Sequence, residues 1–222
     1  MTLILGIDDA GRGPVLGPMV LAGILIKLED EQIIKSWGAK DSKLLTPATR
    51  NKIKNQLIEK FQYHAELSTP NEIDNHKNLN LLEAAKAAKI INHLTKNIKE
   101  PVKIIIDCPS TNIKSWTQDV QNILTTTYRL PPTAYRLTCQ HKADLNYPIV
   151  SAASIIAKER REDEIKKLKQ QLNIDFGSGY PADPKTKKFI QKNFKNPKYK
   201  NLIRFSWNTI KKLTQEKQQK LF

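Results

Sequence analysis

Leu3-Ile4-Leu5-Gly6-Ile7 runs directly into two adjacent carboxylates, Asp8 and Asp9, and then into Ala10-Gly11-Arg12-Gly13-Pro14. The apolar run predicts a buried strand, Thr2–Asp8, that ends in charge. Neighbouring like charges at the end of such a strand repel each other, and folding alone gives no reason to place them there. A divalent cation supplies one. The glycines flanking Arg12 leave backbone N–H groups open to close approach by a phosphate or a sugar. Metal beside a backbone cradle points to chemistry on a phosphodiester.

The same strand-then-acid pattern recurs. Val102-Lys103-Ile104-Ile105-Ile106 predicts a strand that delivers Asp107 before the breaker Pro109. Asp144 stands just ahead of a long helix predicted over Pro148–Leu172, whose amide dipoles favour negative charge at that end. Neighbouring strand ends create the crevice in which α/β sheets bind ligands. If Asp8, Asp9, Asp107 and Asp144 converge, they form an all-oxygen site suited to Mg²⁺ or Mn²⁺. Taken singly, each aspartate reads first as a turn or cap residue; the Asp8-Asp9 pair after an apolar strand does not.

Further strands are predicted over Pro18–Lys27, Gln62–Leu67 and Ala134–Cys139. Thr46-Pro47 is a capped helix start, with the helix running to about Phe61. Ser68-Thr69-Pro70 is a second start, and Leu79–Leu94 is Ala-rich and amphipathic. The loop Asp175–Pro184 is rich in Gly and Pro, and basic helices follow near Lys185–Phe194 and Ser206–Leu221. Short turns join the early strands while later ones alternate with helices, which predicts a mixed α/β sheet flanked by helices. Residues 1–222 are expected to form one domain, with about 185–222 as a basic helical C-terminal extension.

Charge narrows the partners. Thirty-seven Lys and Arg against 22 Asp and Glu leave +15 over 222 residues, which favours a polyanion and nucleic acid first. Cys108 and Cys139 match no zinc spacing and suggest no disulfide framework, so both are expected to be buried, inert thiols in a reducing compartment. No signal-like segment opens the chain, and Met19–Ile26 is too short to span a bilayer. A cytoplasmic protein without a membrane segment is expected.

The ordered set of motifs resembles ribonuclease HII. It begins with Gly6-Ile7-Asp8-Asp9-Ala10-Gly11-Arg12-Gly13-Pro14 and continues through Asp41-Ser42-Lys43-Leu44-Leu45, Ile105-Ile106-Asp107 and His141-Lys142-Ala143-Asp144. Ser151-Ala152-Ala153-Ser154-Ile155-Ile156-Ala157-Lys158 and Gly177-Ser178-Gly179-Tyr180-Pro181 complete it. These blocks cover nearly the whole chain, and the last looks more like the archaeal, single-subunit branch. The resemblance implies a ribonuclease H-like fold and hydrolysis of the RNA strand of RNA/DNA hybrids. It also implies incision at ribonucleotides embedded in duplex DNA, leaving 3′-hydroxyl and 5′-phosphate ends by a two-metal mechanism.

By the same resemblance, Asp8, Asp9, Asp107 and Asp144 are the catalytic, metal-holding acids. Gly11-Arg12-Gly13 matches a loop whose backbone reads the ribose 2′-OH, the group that separates RNA from DNA. Tyr180 matches a tyrosine that stacks on the following sugar; its alternative is a loop aromatic packed on Pro181. Lys40, Lys43 and Arg50 are candidate phosphate contacts, or solvated charges. His141 could assist a water or product near Asp144, or serve as a structural hydrogen-bonding group. No Ser-His-Asp spacing argues for a nucleophilic triad.

Two departures from the family pattern stand out. The signature normally reads Asp-Glu where this chain has Asp8-Asp9, and the shorter side chain matters because metal–oxygen distances tolerate only about 0.2 Å. A catalytically impaired hybrid-binding protein is therefore the alternative reading, and a junction resolvase on the same fold is a further one. Arg161-Glu162 replaces the family's common Arg-Asp. At the C-terminus Gln215, Leu221 and Phe222 loosely fit a sliding-clamp-binding peptide, but Gln218 occupies the aliphatic position, so a solvated helix end competes with a weak clamp contact. The chain is expected to be a monomer.

Overall fold

The computed structural model describes residues 2–39, 45–76 and 78–219. Among these, five strands form one sheet: β1 (Leu3–Ala10), β2 (Met19–Lys27), β3 (Gln62–Ser68), β4 (Val102–Asp107) and β5 (Tyr135–Gln140), in the order β3-β2-β1-β4-β5. β1 runs antiparallel to β2 and parallel to β4, and β4 runs parallel to β5. The mixed sheet expected from short early turns and later helical crossovers is present.

The helices are α1 (Glu31–Ser36), α2 (Pro47–Lys60), α3 (Pro70–Asn75), α4 (Leu79–Thr95), α5 (Ile113–Thr126), α6 (Ala143–Asn146), α7 (Pro148–Leu172), α8 (Pro184–Asn193) and α9 (Asn208–Gln219). Thr46 caps α2 through its side-chain oxygen, which accepts the Thr49 N–H, and Thr69 caps α3 in the same way. No helix among the described residues is long and apolar enough to cross a membrane.

Contacts divide the chain into two compact units: Met1–Ala10, Val20–Glu66 and Asn78–Arg160 form the first, and Gly11–Met19, Leu67–Lys77 and Arg161–Phe222 form the second. In the first, Ile4, Leu5, Ile7, Ile24 and Ile104 are almost wholly buried. Ala84, Ala87 and Ala88 keep one face of α4 flat and fully buried, and the helix packs against α5. α5 adds Trp116, Val120 and Leu124, one helical turn apart. The second unit has its own core of Val15, Leu16, Phe176, Phe189, Phe194 and Ile203.

Two expectations need correction. The strand expected over Thr2–Asp8 does not end at Asp8: it continues through Asp9 to Ala10, so both acids lie within it, opposite Ala22 and Leu21 of β2, because the antiparallel pairing continues to Ala10 and Val20. Cys139 is half-buried rather than buried, since it lies on the edge strand β5. Burial still pushes its thiol up to about 11, which keeps it protonated and inert at neutral pH.

Candidate nuclease centre

The parallel register of β1 and β4 pairs Ile7 with Ile106, so each strand delivers an acid one residue further on: Asp8 and Asp107. Asp8 is buried. Its Oδ1 accepts the Asp9 N–H at 2.8 Å, and its side chain is hydrogen-bonded to Ser154 of α7. Burial first, then the negative charge of Asp9, and less strongly that of Asp107, hold the Asp8 carboxyl well above the usual carboxylate range; the two hydrogen bonds only partly oppose this. Among the described residues, ionisation of Asp8 is therefore disfavoured.

Asp107 is tied to the next acid through the backbone. Its Oδ1 accepts the Ala143 N–H at 3.0 Å, which anchors the first residue of α6 to the end of β4. Asp144, the next residue, is buried within the same short helix. Lys142 supports the bend with a left-handed backbone, φ 57°. β1, β4 and α6 thus bring Asp8, Asp9, Asp107 and Asp144 into the first unit: three of them lie on the adjacent strands β1 and β4, and Asp144 follows Ala143, whose N–H is bonded to Asp107. The oxygens are not drawn around a common point: among the described residues no three His, Cys, Asp or Glu side chains form a ready metal cluster.

The neighbouring candidates have assignable contacts. His141 donates from Nε2 to the Ser110 carbonyl at 2.7 Å. Arg50 lies 2.5 Å from Glu159 Oε1 on α7, an ion pair within the first unit. Lys40 and Lys43 lie outside the described residues.

Gly11, Arg12, Gly13 and Tyr180 all belong to the second unit. The segment after Gly13 pairs with the Gly-rich loop: Val15 N–H and Leu16 N–H both donate to the Gly179 carbonyl, at 2.8 and 3.2 Å. Gly179 has φ +85°, and a Cβ there would meet the Leu16 carbonyl at 2.8 Å, so only glycine fits. Tyr180 is 43% exposed, and its ring edge lies beside Gly13. Four residues of this unit escape a motif-by-motif reading or receive little weight in it. Arg161, almost wholly buried, donates to the Pro18 and Ser178 carbonyls at 3.3 and 3.4 Å and lies 5.6 Å from the Tyr180 ring centre. Arg204 and Trp207 donate to carbonyls of the 11–13 loop, and Asp74 accepts from the backbone of Phe205 and Ser206. The signal for the pair is an Arg three residues before a Trp in an otherwise Lys-rich tail.

Residues 5–210 match the family described as Ribonuclease HII. The sequence is 40% identical over 228 residues to a ribonuclease HII of Methanocaldococcus jannaschii, covering 99% of this chain and 98% of the relative. The fold is similar to the ribonuclease H2 from Pyrococcus horikoshii OT3, with a TM-score of 0.81, 37% identity and coverage of 97% and 98% of the two chains. It is also similar to the RNase HII of Archaeoglobus fulgidus solved in complex with PCNA, with a TM-score of 0.79, 31% identity and coverage of 93% and 95%.

Proposed function

This chain belongs to the ribonuclease HII family and is an RNase H-type endonuclease; from that premise we propose that it hydrolyses the RNA strand of RNA/DNA hybrids and incises duplex DNA at embedded ribonucleotides, leaving 3′-hydroxyl and 5′-phosphate ends. The observation that carries this reading is the register of β1 on β4, which sets the buried Asp8 beside Asp9 and Asp107, where its ionisation is disfavoured among the described residues. That donor set, all hard oxygen and net negative, fits Mg²⁺ or Mn²⁺. Asp8, Asp9, Asp107 and Asp144 would hold the metal, which when bound supplies a two-ion activation of water and stabilisation of the departing 3′ oxygen.

The chain's own residues do the rest. The Asp9 N–H and Ser154 fix the orientation of the Asp8 carboxylate. The backbone of Gly11-Arg12-Gly13 reads the 2′-OH, and the exposed Tyr180 face receives the following sugar. The +15 charge draws in the duplex through its phosphates, so affinity falls steeply with salt. In this reading residues 1–222 act as one catalytic domain, a cytoplasmic monomer with a basic helical end over 185–222. A weak sliding-clamp contact through the segment from Gln215 belongs to it by likeness to the Archaeoglobus relative; Leu221 and Phe222 lie outside the described residues. The deciding experiment is cleavage of a duplex carrying one ribonucleotide, with Mn²⁺, with EDTA, and against an all-DNA duplex. Incision 5′ to the ribonucleotide, abolished by EDTA and absent on all-DNA, is expected; cutting of the all-DNA duplex would point to a resolvase-like enzyme instead.

Asp9 qualifies the metal preference. Consecutive strand residues leave opposite faces of a sheet, so a longer Glu can bend round to a shared ion where Asp falls short. Mg²⁺ demands near-ideal octahedral geometry and tolerates such a shortfall poorly. Mn²⁺ is expected to support faster cleavage than Mg²⁺, and Asp9→Glu to raise the Mg²⁺ rate about tenfold, a gain of ~1.4 kcal/mol in transition-state stabilisation. Equal rates with the two ions and no gain in the variant would count against this account. No cleavage with either ion in the wild type, alongside tight hybrid binding, would favour the impaired-binder alternative.

A further inference from the structure

The three carbonyls of the reading loop are all taken by one short segment near the C-terminus. Arg204 is fully buried; its Nη2 donates to Gly11 O at 2.8 Å and its Nη1 to Arg12 O at 3.0 Å. Its Nε donates to Gly17 O at 2.9 Å, at the far end of the same connection. Trp207 Nε1 donates to Gly13 O at 3.2 Å, and the Arg204 guanidinium lies 4.9 Å from the Trp207 ring centre. Asp74 of α3 clamps the intervening residues, accepting from the N–H groups of Phe205 at 2.6 Å and Ser206 at 2.9 Å and from the Ser206 hydroxyl.

Peptide planarity turns this into a statement about donors. In a trans peptide the carbonyl of one residue and the N–H of the next point in opposite directions within one plane. Fixing Gly11 O and Arg12 O toward the buried Arg204 therefore turns the N–H groups of Arg12 and Gly13 to the other side, where Gly13 is exposed. Pro14 contributes no N–H, and Trp207 fixes the last plane. We propose that Arg204 and Trp207 are positioning residues that set the peptide planes of the 11–13 loop, and so determine how well the enzyme tells a ribonucleotide from a deoxyribonucleotide. This rests on the loop being the 2′-OH reader, as proposed above.

Two mild substitutions test it. Trp207→Phe keeps a ring beside the guanidinium and removes one N–H. Arg204→Lys keeps the charge but replaces a fork that reaches three carbonyls with a single ammonium. Three measurements apply to each: amide chemical shifts of Arg12 and Gly13 in the substrate-free protein, binding in EDTA of a one-ribonucleotide duplex against an all-DNA duplex, and kcat and KM for incision. Both variants are expected to move the two amide resonances. Preference for the ribonucleotide duplex should fall about fivefold in Trp207→Phe and at least about tenfold in Arg204→Lys, on the scale of losing one or more hydrogen bonds, with all-DNA affinity unchanged. Unmoved amides, or a loss of ribonucleotide and all-DNA affinity in equal proportion, would overturn the proposal and leave the pair a purely structural role. A wild-type enzyme with no preference between the duplexes would instead refute the reading of the loop, while the amide shifts would still report whether the pair sets its geometry.

Discussion

Asp8→Asn is expected to abolish cleavage and, in the same molecule, to raise the melting temperature of the metal-free protein. Asn keeps the carbonyl oxygen that accepts the Asp9 N–H but removes the charge that an ion needs. Activity should fall by about a thousandfold or more, the scale seen when a group facing developing charge is lost. The stability effect has the opposite sign because Asp8 is buried beside Asp9 and Asp107, and its folded carboxyl titrates above its unfolded value. Such a group stabilises the fold fully only while protonated, below about pH 4, and that stability is lost as pH rises through its folded pKa. At neutral pH the wild type carries the penalty and the Asn variant does not. Thermal melts in EDTA from pH 4 to pH 8 should therefore show a gap that opens with rising pH in favour of the variant. A variant less stable than wild type at pH 7 without metal would mean that the charge is already compensated, and retained cleavage would remove Asp8 from the centre.

The same arrangement shows where sequence reasoning succeeds and where it stops. β4 and α7 are legible because an apolar run or a Pro-initiated, small-residue stretch has clear ends. The candidate acids stand out in the sequence because a carboxylate at an apolar run's end is costly without a purpose. That β1 continues past Asp8 through Asp9 is not legible, since the strand is prolonged by pairing with β2 up to Ala10 and Val20, a tertiary contact. α5 is missing from the sequence reading although Ile113, Trp116, Val120, Ile123 and Leu124 recur at helical spacing, because they stand among Ser, Thr, Gln and Asn of modest helix propensity. Asn112 adds a cap signal, its side chain accepting the Ser115 N–H at 3.0 Å. Arg204 and Trp207 are the least legible of all. Their partners are main-chain carbonyls nearly the whole chain away, and a carbonyl's direction leaves no trace in residue identity.

Gly6→Ala is expected to be among the most damaging single changes to the fold, and its damage should reach the acids. Gly6 is central in β1, registered with Ile24 of β2 and Ile105 of β4. A Cβ there would stand 2.5 Å from the Ile149 carbonyl oxygen and 2.6 Å from its carbon. The obstacle is the first turn of α7, backbone that cannot rotate aside as a side chain does, so the helix start must lift from the sheet. That displacement is transmitted directly. Ser151 N–H is bonded to Tyr147 O and Tyr147 N–H to Ala143 O, and the Ala143 N–H is what holds Asp107. Overpacking of this kind costs about 3 kcal/mol, which for a chain of this size lowers the melting temperature by ~6–12 °C. Gly38→Ala is the control. Gly38 has φ +82°, and a Cβ added to it would meet nothing within 4 Å among the described residues, so it carries backbone strain without a clash there and should cost only about 1 kcal/mol. Incision should fall at least about tenfold in Gly6→Ala at temperatures where both variants are folded, because a displacement of about 1 Å at the reacting groups is enough for that, and should stay near wild type in Gly38→Ala. Equal melting temperatures for the two variants would show that α7 does not rest on the β1 backbone, and with that the route by which β1, α7 and Asp107 are held in register would fail.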